Sequence, residues 1–318
     1  MDLNLRLKSL KPSLSENSIQ TYASLLRNLW KQLFIADTIS RGTIAQHHKD
    51  IIAHIESTCA SQPKKAKQLY SALLVFNNED LMEPLDCFLT MKNLIHKHNE
   101  IDTMNEDKQE LTEKQKKSYM AWEDIIKRRE ELKAEVEPLW SSENIADVYK
   151  IQDYVIACIY TMLPPRRLLD YVNMSKFPPV ASSDNGIIQK NGRLFFVFNH
   201  YKTAACYGQQ IVPMPECLEE VIYRWLQVNP DARLLFHRDR IKGNPIYGWP
   251  VVRGYTVKEL QKRLAVIFKK PGFGVNILRH SFITDTVLKD TPFLEELKTV
   301  ATQMGHSTQQ QALYKKHI

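Results

Sequence analysis

Arg279 and His280 stand side by side in NILRHSFITDTV (276–287), a stretch that is otherwise apolar and helix-forming. A cation buried there needs a partner or a ligand, because charge taken out of water without one is very costly. Three more stretches carry basic or imidazole groups: Arg166 and Arg167 in LPPRRLLDYVNM (163–174), Lys202 in NHYKTAACYGQQ (199–210) and His306 in QMGHSTQQQALYKKH (303–317). Taken singly, each has an ordinary explanation. The arginine pair can be a solvated turn, the lysine an exposed hairpin residue, and the histidine a dipole partner just past a helix that Gly305 caps. Together they are groups that hold anionic oxygen, and the charge distribution points the same way. The net charge is +7, and residues 151–318 carry 22 Lys and Arg against 13 Asp and Glu, so the excess lies in the C-terminal half. Such a concentration suits a polyanion, since neutralised phosphates supply most of the sequence-independent affinity for DNA.

The ordered set of motifs resembles the tyrosine recombinases, also called phage-type integrases. In that family an arginine precedes an acidic residue by three positions after a helix end, as Arg167 precedes Asp170. A lysine lies on a turn between two strands, as Lys202 does, and an H-x-x-R-H segment opens a helix, matched by Asn276 to His280. A Leu- or Met-Gly-His motif then leads to the tyrosine, as Met304, Gly305 and His306 lead to Tyr314. The match covers about residues 150–318; SENSIQTYASLLRNLW near the start is similar to the family's helical core-binding domain. The resemblance also implies an origin in a virus or mobile element.

What it implies chemically is a DNA strand cleaved and rejoined through a 3′-phosphotyrosyl bond to Tyr314. Arg167 and Arg279 would clamp the non-bridging oxygens with paired donors that stay protonated. His306 would add a third donor, and Lys202 would protonate the leaving 5′ oxygen. With these cations in place no metal or other cofactor is expected, and the covalent intermediate conserves the energy of the phosphodiester, so strands can be rejoined without ATP. The sequence departs from the family twice. Asn276 replaces the usual histidine and cannot shuttle a proton, which leaves activation of Tyr314 to another group such as His280 or water. The spacing from His306 to Tyr314 is also one residue tighter than the commonest. Two other readings share the pattern: a type IB topoisomerase, and a DNA-binding module of the same fold that has lost efficient cleavage, with Asn276 as its argument.

These residues need elements to position them. At 318 residues with 43% hydrophobic and 25% charged content, the chain can pack two cores. Few glycines and long runs of Leu, Lys, Glu and Gln predict a mainly α chain with a small antiparallel β-sheet, an α+β class. A first helix is expected over 13–34, with Ser13 and Glu16 as a capping box, followed by helices near 42–58, 63–76 and 82–98. The polar, acidic segment 99–110 places a boundary between a helical core-binding domain, residues 1–105, and a catalytic domain, residues 106–318. Helices over 112–136 and 142–163 follow. Strands are expected at 186–188, 194–199 and 208–213, then helices near 216–227, 256–268, 278–288 and 292–304.

The expected partner is double-stranded DNA, contacted by Arg166, His280, Lys64 and Lys65 beside the catalytic groups. The lysines belong to PKKAK (63–67), which also reads as a solvated helix start or a nuclear address. Self-association is expected on DNA, as a tetramer in a synaptic complex, from a monomer in free solution. The five scattered cysteines read as reduced thiols, MDLNLRLKSL has no secretory pattern, and the longest apolar run, Tyr154 to Leu163, is about half the ~20 residues that span a bilayer. An intracellular, DNA-associated protein without membrane attachment is the resulting expectation.

Overall fold

The computed structural model describes residues 2–79, 85–107, 110–181, 183–238, 252–287 and 294–315. The chain divides into two compact units, Met1–Lys108 and Gln109–Ile318, each with its own apolar core. As the residue patterning indicates, the class is mainly helical with a small antiparallel sheet.

The described residues of the first unit are helical: α1 (Leu3–Leu10), α2 (Glu16–Gln32), α3 (Arg41–Gln46), α4 (His48–Thr58), α5 (Pro63–Leu74) with a 3-10 turn (Val75–Asn78), and α6 (Asp86–Asp107). Ile19, Ala23, Leu26, Leu29 and Trp30 recur at helical spacing and form the buried face of α2. Its cap is Ser15, whose Oγ accepts from the Ser18 N–H at 3.2 Å. Ser13, expected in that role, is taken up by the turn that the Leu14 N–H closes on the Lys11 carbonyl. α1 was not foreseen, since it buries only Leu7 and so has little periodicity to read. α6 runs through the polar segment expected to be a boundary. There Lys67 on α5 donates to Asn99 at 2.9 Å and pairs with Asp102, so tertiary contacts hold the extension in place.

The second unit is built round α9 (Ile145–Thr161), in which every residue from Tyr154 to Thr161 is buried. A helix apolar on all sides belongs at the centre of a core. Three helices pack on it: α8 (Trp122–Val136), α12 (Glu216–Val228) and α13 (Val257–Ile267). Gln152, the one amide in its interior, is satisfied at both ends, donating to the Phe236 carbonyl at 3.0 Å and accepting from the Phe236 N–H at 2.9 Å. The expected single helix over 112–136 is two, a short α7 (Glu113–Ser118) and α8. Ser281 donates to the Met120 carbonyl at 2.6 Å, and Asp285 accepts from the Trp122 N–H at 2.8 Å, capping the N-terminus of α8. Those contacts hold the break in place.

After α10 (Leu169–Val172) come β1 (Gly186–Lys190), β2 (Arg193–Phe198), α11 (Ala204–Tyr207) and β3 (Gln210–Pro213). The sheet is antiparallel in the order β1-β2-β3, with Gly186 opposite Val197 and Phe196 opposite Val212. Asn191 and Gly192 join the first two strands with φ of 51° and 79°, the two positive values that a type I′ hairpin demands. A second pair, β4 (His237–Arg238) with β5 (Val252–Arg253), is too short to register as a sequence pattern. α14 (Val275–Phe282) passes into a π turn (Ile283–Val287), and α15 (Leu294–Gln303) and α16 (Thr308–Ala312) follow. The starts expected for the helices over 82–98 and 292–304, and residue 288 at the expected end of the helix from 278, lie outside the described residues. All five cysteines are free thiols. Among the described residues no helix is long and apolar enough to cross a membrane.

Candidate active site

α15 ends in a Schellman turn. The His306 N–H reaches back to the Ala301 carbonyl at 3.0 Å and the Gly305 N–H to Thr302 at 2.9 Å, with Gly305 at φ 67°. This closure leaves the carbonyls of residues 303 to 305 pointing outward at the negative end of a helix, where cations are favoured. Three arginines from two distant elements use them. Arg166 Nη1 donates to the Gln303 carbonyl at 2.6 Å, Arg279 Nη2 to Met304 at 3.2 Å, and Arg167 Nη1 to Gly305 at 2.8 Å. A Cβ on residue 305 would stand 3.1 Å from Arg166 Nη2, a second reason for glycine there.

Arg166 and Arg167 are adjacent but differently placed. Arg166 is 2% exposed, pairs with Asp170 at 2.8 Å, donates to Gln210 at 2.8 Å and lies 3.9 Å over the Phe198 ring. The floor beneath is aromatic, with Tyr171 edge-on to Phe196 and Phe198. Burial raises the Asp170 pKa against the opposing pull of Arg166. Expected on sequence grounds to contact DNA, Arg166 is sequestered and has its donors directed inward. Arg167 is half-buried, with Gly305 as its partner.

Lys202 is exposed in the loop between β2 and β3. Its loop is nonetheless fixed on both sides. Asn185 accepts from the Asn199 and His200 N–H groups at 2.8 and 2.7 Å and donates to the Asp170 carbonyl, while Thr203 donates to the Gly305 carbonyl at 3.0 Å. Asn185 and Thr203 were missed by sequence reasoning, because a polar residue's tertiary partner leaves no local pattern.

The Tyr314 ring meets three of the expected residues. The Arg279 guanidinium carbon is 4.5 Å from its centroid, His280 5.1 Å and His306 5.6 Å. Arg279 is 1% exposed, and burial lowers its pKa to about 10, which leaves it cationic at neutral pH. His280 Nδ1 lies 2.8 Å from the Tyr314 carbonyl and its Nε2 lies 3.3 Å from Gln115 Nε2. Buried and engaged at both nitrogens, His280 holds the backbone of Tyr314 and faces neither water nor a surface ligand, contrary to its expected role at the DNA surface. Burial, then Arg279 and Arg167, push the His306 pKa down to about 3. The ring is therefore neutral. Its Nδ1 sits 3.1 Å from the Ser307 carbonyl, which can only accept, so Nδ1 carries the proton and Nε2 presents a lone pair. The expected third donor thus needs a proton that His306 does not hold in this arrangement. Asn276 is exposed on α14, away from the buried face that carries Arg279 and His280.

Several buried polar atoms here have no partner among the described residues: Arg166 Nη2, Arg279 Nε, His306 Nε2 and both amide atoms of Gln311. Buried polar atoms are normally satisfied, and two of these residues, Arg279 and His306, touch the Tyr314 ring. The cations suit an anion, and no group of metal-binding residues occurs among the described ones. In the first unit, Lys64 pairs with Asp102 at 3.5 Å and Lys65 is exposed, both in the opening turn of α5.

No family model matches the chain, and no curated protein does. Among solved structures it is similar to the crystal structure of XerA recombinase at 14% identity and a TM-score of 0.39, over 100% of this chain and 94% of that one. A likeness of that size adds nothing to the reading of the site.

Proposed function

We propose that the chain cleaves and rejoins duplex DNA by transesterification at Tyr314, as a tyrosine recombinase. The observation that supports this best is the packing of the Tyr314 ring against Arg279 and His306, beside a helix end that gathers Arg166, Arg167 and Arg279. In the reaction the Tyr314 hydroxyl gives its proton to water, its oxygen attacks phosphorus, the bond to the 5′ oxygen breaks, and Lys202 gives that oxygen a proton. Arg167 and Arg279 meet the charge that builds on the phosphoryl oxygens. An incoming phosphodiester favours protonation of His306, which would then donate from Nε2. Asn276, at the exposed edge of α14, would reach the DNA side of the same phosphate. Lys64 and Lys65 would contact the duplex backbone. Their position opposes the macrodipole of α5, and a bound phosphate would relieve that conflict.

The test is a nicked suicide duplex, from which the short fragment bearing the new 5′ hydroxyl diffuses away and leaves the covalent adduct. Wild type is expected to accumulate adduct, and its absence under conditions of saturated binding overturns the reading. Asn276 favours a second one, a DNA-binding protein of this fold without efficient cleavage. That reading predicts no adduct from wild type and none from Asn276→His.

A further inference from the structure

Gln311 lies on α16, 1% exposed, and neither Oε1 nor Nε2 has a hydrogen-bond partner among the described residues. Each buried polar group left unpaired carries its desolvation penalty, whereas an apolar side chain of like shape would carry none. The backbone places Gln311 one turn before Tyr314. Tyr314 donates its N–H to the Gln311 carbonyl at 3.0 Å, an i to i+3 closure, and in that geometry side chains three apart eclipse. The two side chains therefore leave the backbone on the same edge of the turn. Arg279 and His306, which also have unpartnered atoms, touch the same phenol ring. The other carboxamide in question, Asn276, is exposed on a different element.

We infer that Gln311 is a further ligand of the reacting group, its Nε2–H donating to a non-bridging phosphoryl oxygen while its Oε1 accepts from the Tyr314 hydroxyl. This rests on transesterification at Tyr314. Gln311 makes and breaks no covalent bond; it holds nucleophile and phosphate in line, so that the lone pair of the phenol oxygen faces phosphorus. The arrangement also explains why an amide is kept where a hydrocarbon would be more stable.

Gln311→Leu and Gln311→Met keep the volume and remove the polar atoms. Two measurements are needed: thermal unfolding with and without inorganic phosphate, and single-turnover cleavage of the nicked duplex at saturating protein. Both variants should melt at or above the wild-type temperature and gain less from phosphate. Cleavage should fall roughly 10 to 1000 fold, as for loss of one oxyanion ligand, with duplex affinity unchanged. Gln311→Glu should lose the response to phosphate altogether. A lower melting temperature in both apolar variants, or their failure to fold, overturns the inference, since it would mean that the amide has a structural partner. Unchanged cleavage beside active wild type overturns it too, leaving the Tyr314 chemistry intact. If wild type forms no adduct yet phosphate stabilises it and not Gln311→Leu, the anion ligand stands and the transesterification reading falls.

Discussion

Arg166 and Arg167 differ by one position and have separate tasks, so their substitutions should separate. Arg166→Ala removes the partner of a buried carboxylate and is expected to cost about 3–5 kcal/mol of stability, read as a lowered unfolding midpoint. Arg167→Ala, taken from a half-buried side chain, should cost far less stability but most of the cleavage rate. Equal loss of stability in the two would contradict the division. Tyr314→Phe should bind duplex like wild type and form no adduct. His306 supplies a pH dependence. Its folded pKa of about 3 lies below the unfolded value near 6.5, so between those limits the unfolded chain binds more protons. Stability from this group is complete above pH 6.5 and declines as the pH falls toward 3. His306→Asn should flatten that part of the stability curve, and an unaltered slope would show that His306 is not held neutral. Residue types were legible in the sequence, but direction was not. Adjacent arginines give no hint of which faces inward, and the choice is made by Phe198, Asp170 and Gln210.

At the scale of elements, the C-terminal turn of α15 decides the site. Gly305→Ala places a Cβ at a φ of 67°, which costs roughly 1–2 kcal/mol, and brings it 3.1 Å from Arg166. The expected result is a melting temperature lower by a few degrees, with a loss of cleavage larger than that destabilisation explains, because three guanidiniums lose their common anchor. Crystallography or amide exchange at Met304 and His306 would show whether the turn has opened. The glycine was legible as a helix cap, and the strands were legible from their alternation. The division between α7 and α8 was not, because it is imposed by Ser281 and Asp285, more than 160 residues away. Likewise, the extension of α6 depends on Lys67, which no window of local sequence contains.

For the whole molecule, the proposed contact with phosphates predicts steep salt dependence. If about six phosphates are neutralised, duplex affinity should fall by roughly a thousandfold between about 50 and 200 mM salt, measured with Tyr314→Phe to exclude cleavage. A flat plot of log K against log salt would remove DNA as the partner. Light scattering should find a monomer without DNA and a larger assembly on paired sites; a stable tetramer in free solution would contradict the expected order of assembly. Composition made the mainly helical class readable at this scale, while the gathering of the arginines at the end of α15 depends on long-range contacts. Those contacts have a kinetic meaning. Arg166 to Gln303 spans 137 residues, Arg167 to Gly305 spans 138 and Thr203 to Gly305 spans 102. Closing loops of that length is slow and comes after local helices and hairpins have formed. Arg166 and Arg167 therefore reach the end of α15 only when the rest of the unit is in place. Under the proposed reaction, the order of folding itself would keep Tyr314 harmless to DNA until the scaffold needed to reseal the strand exists.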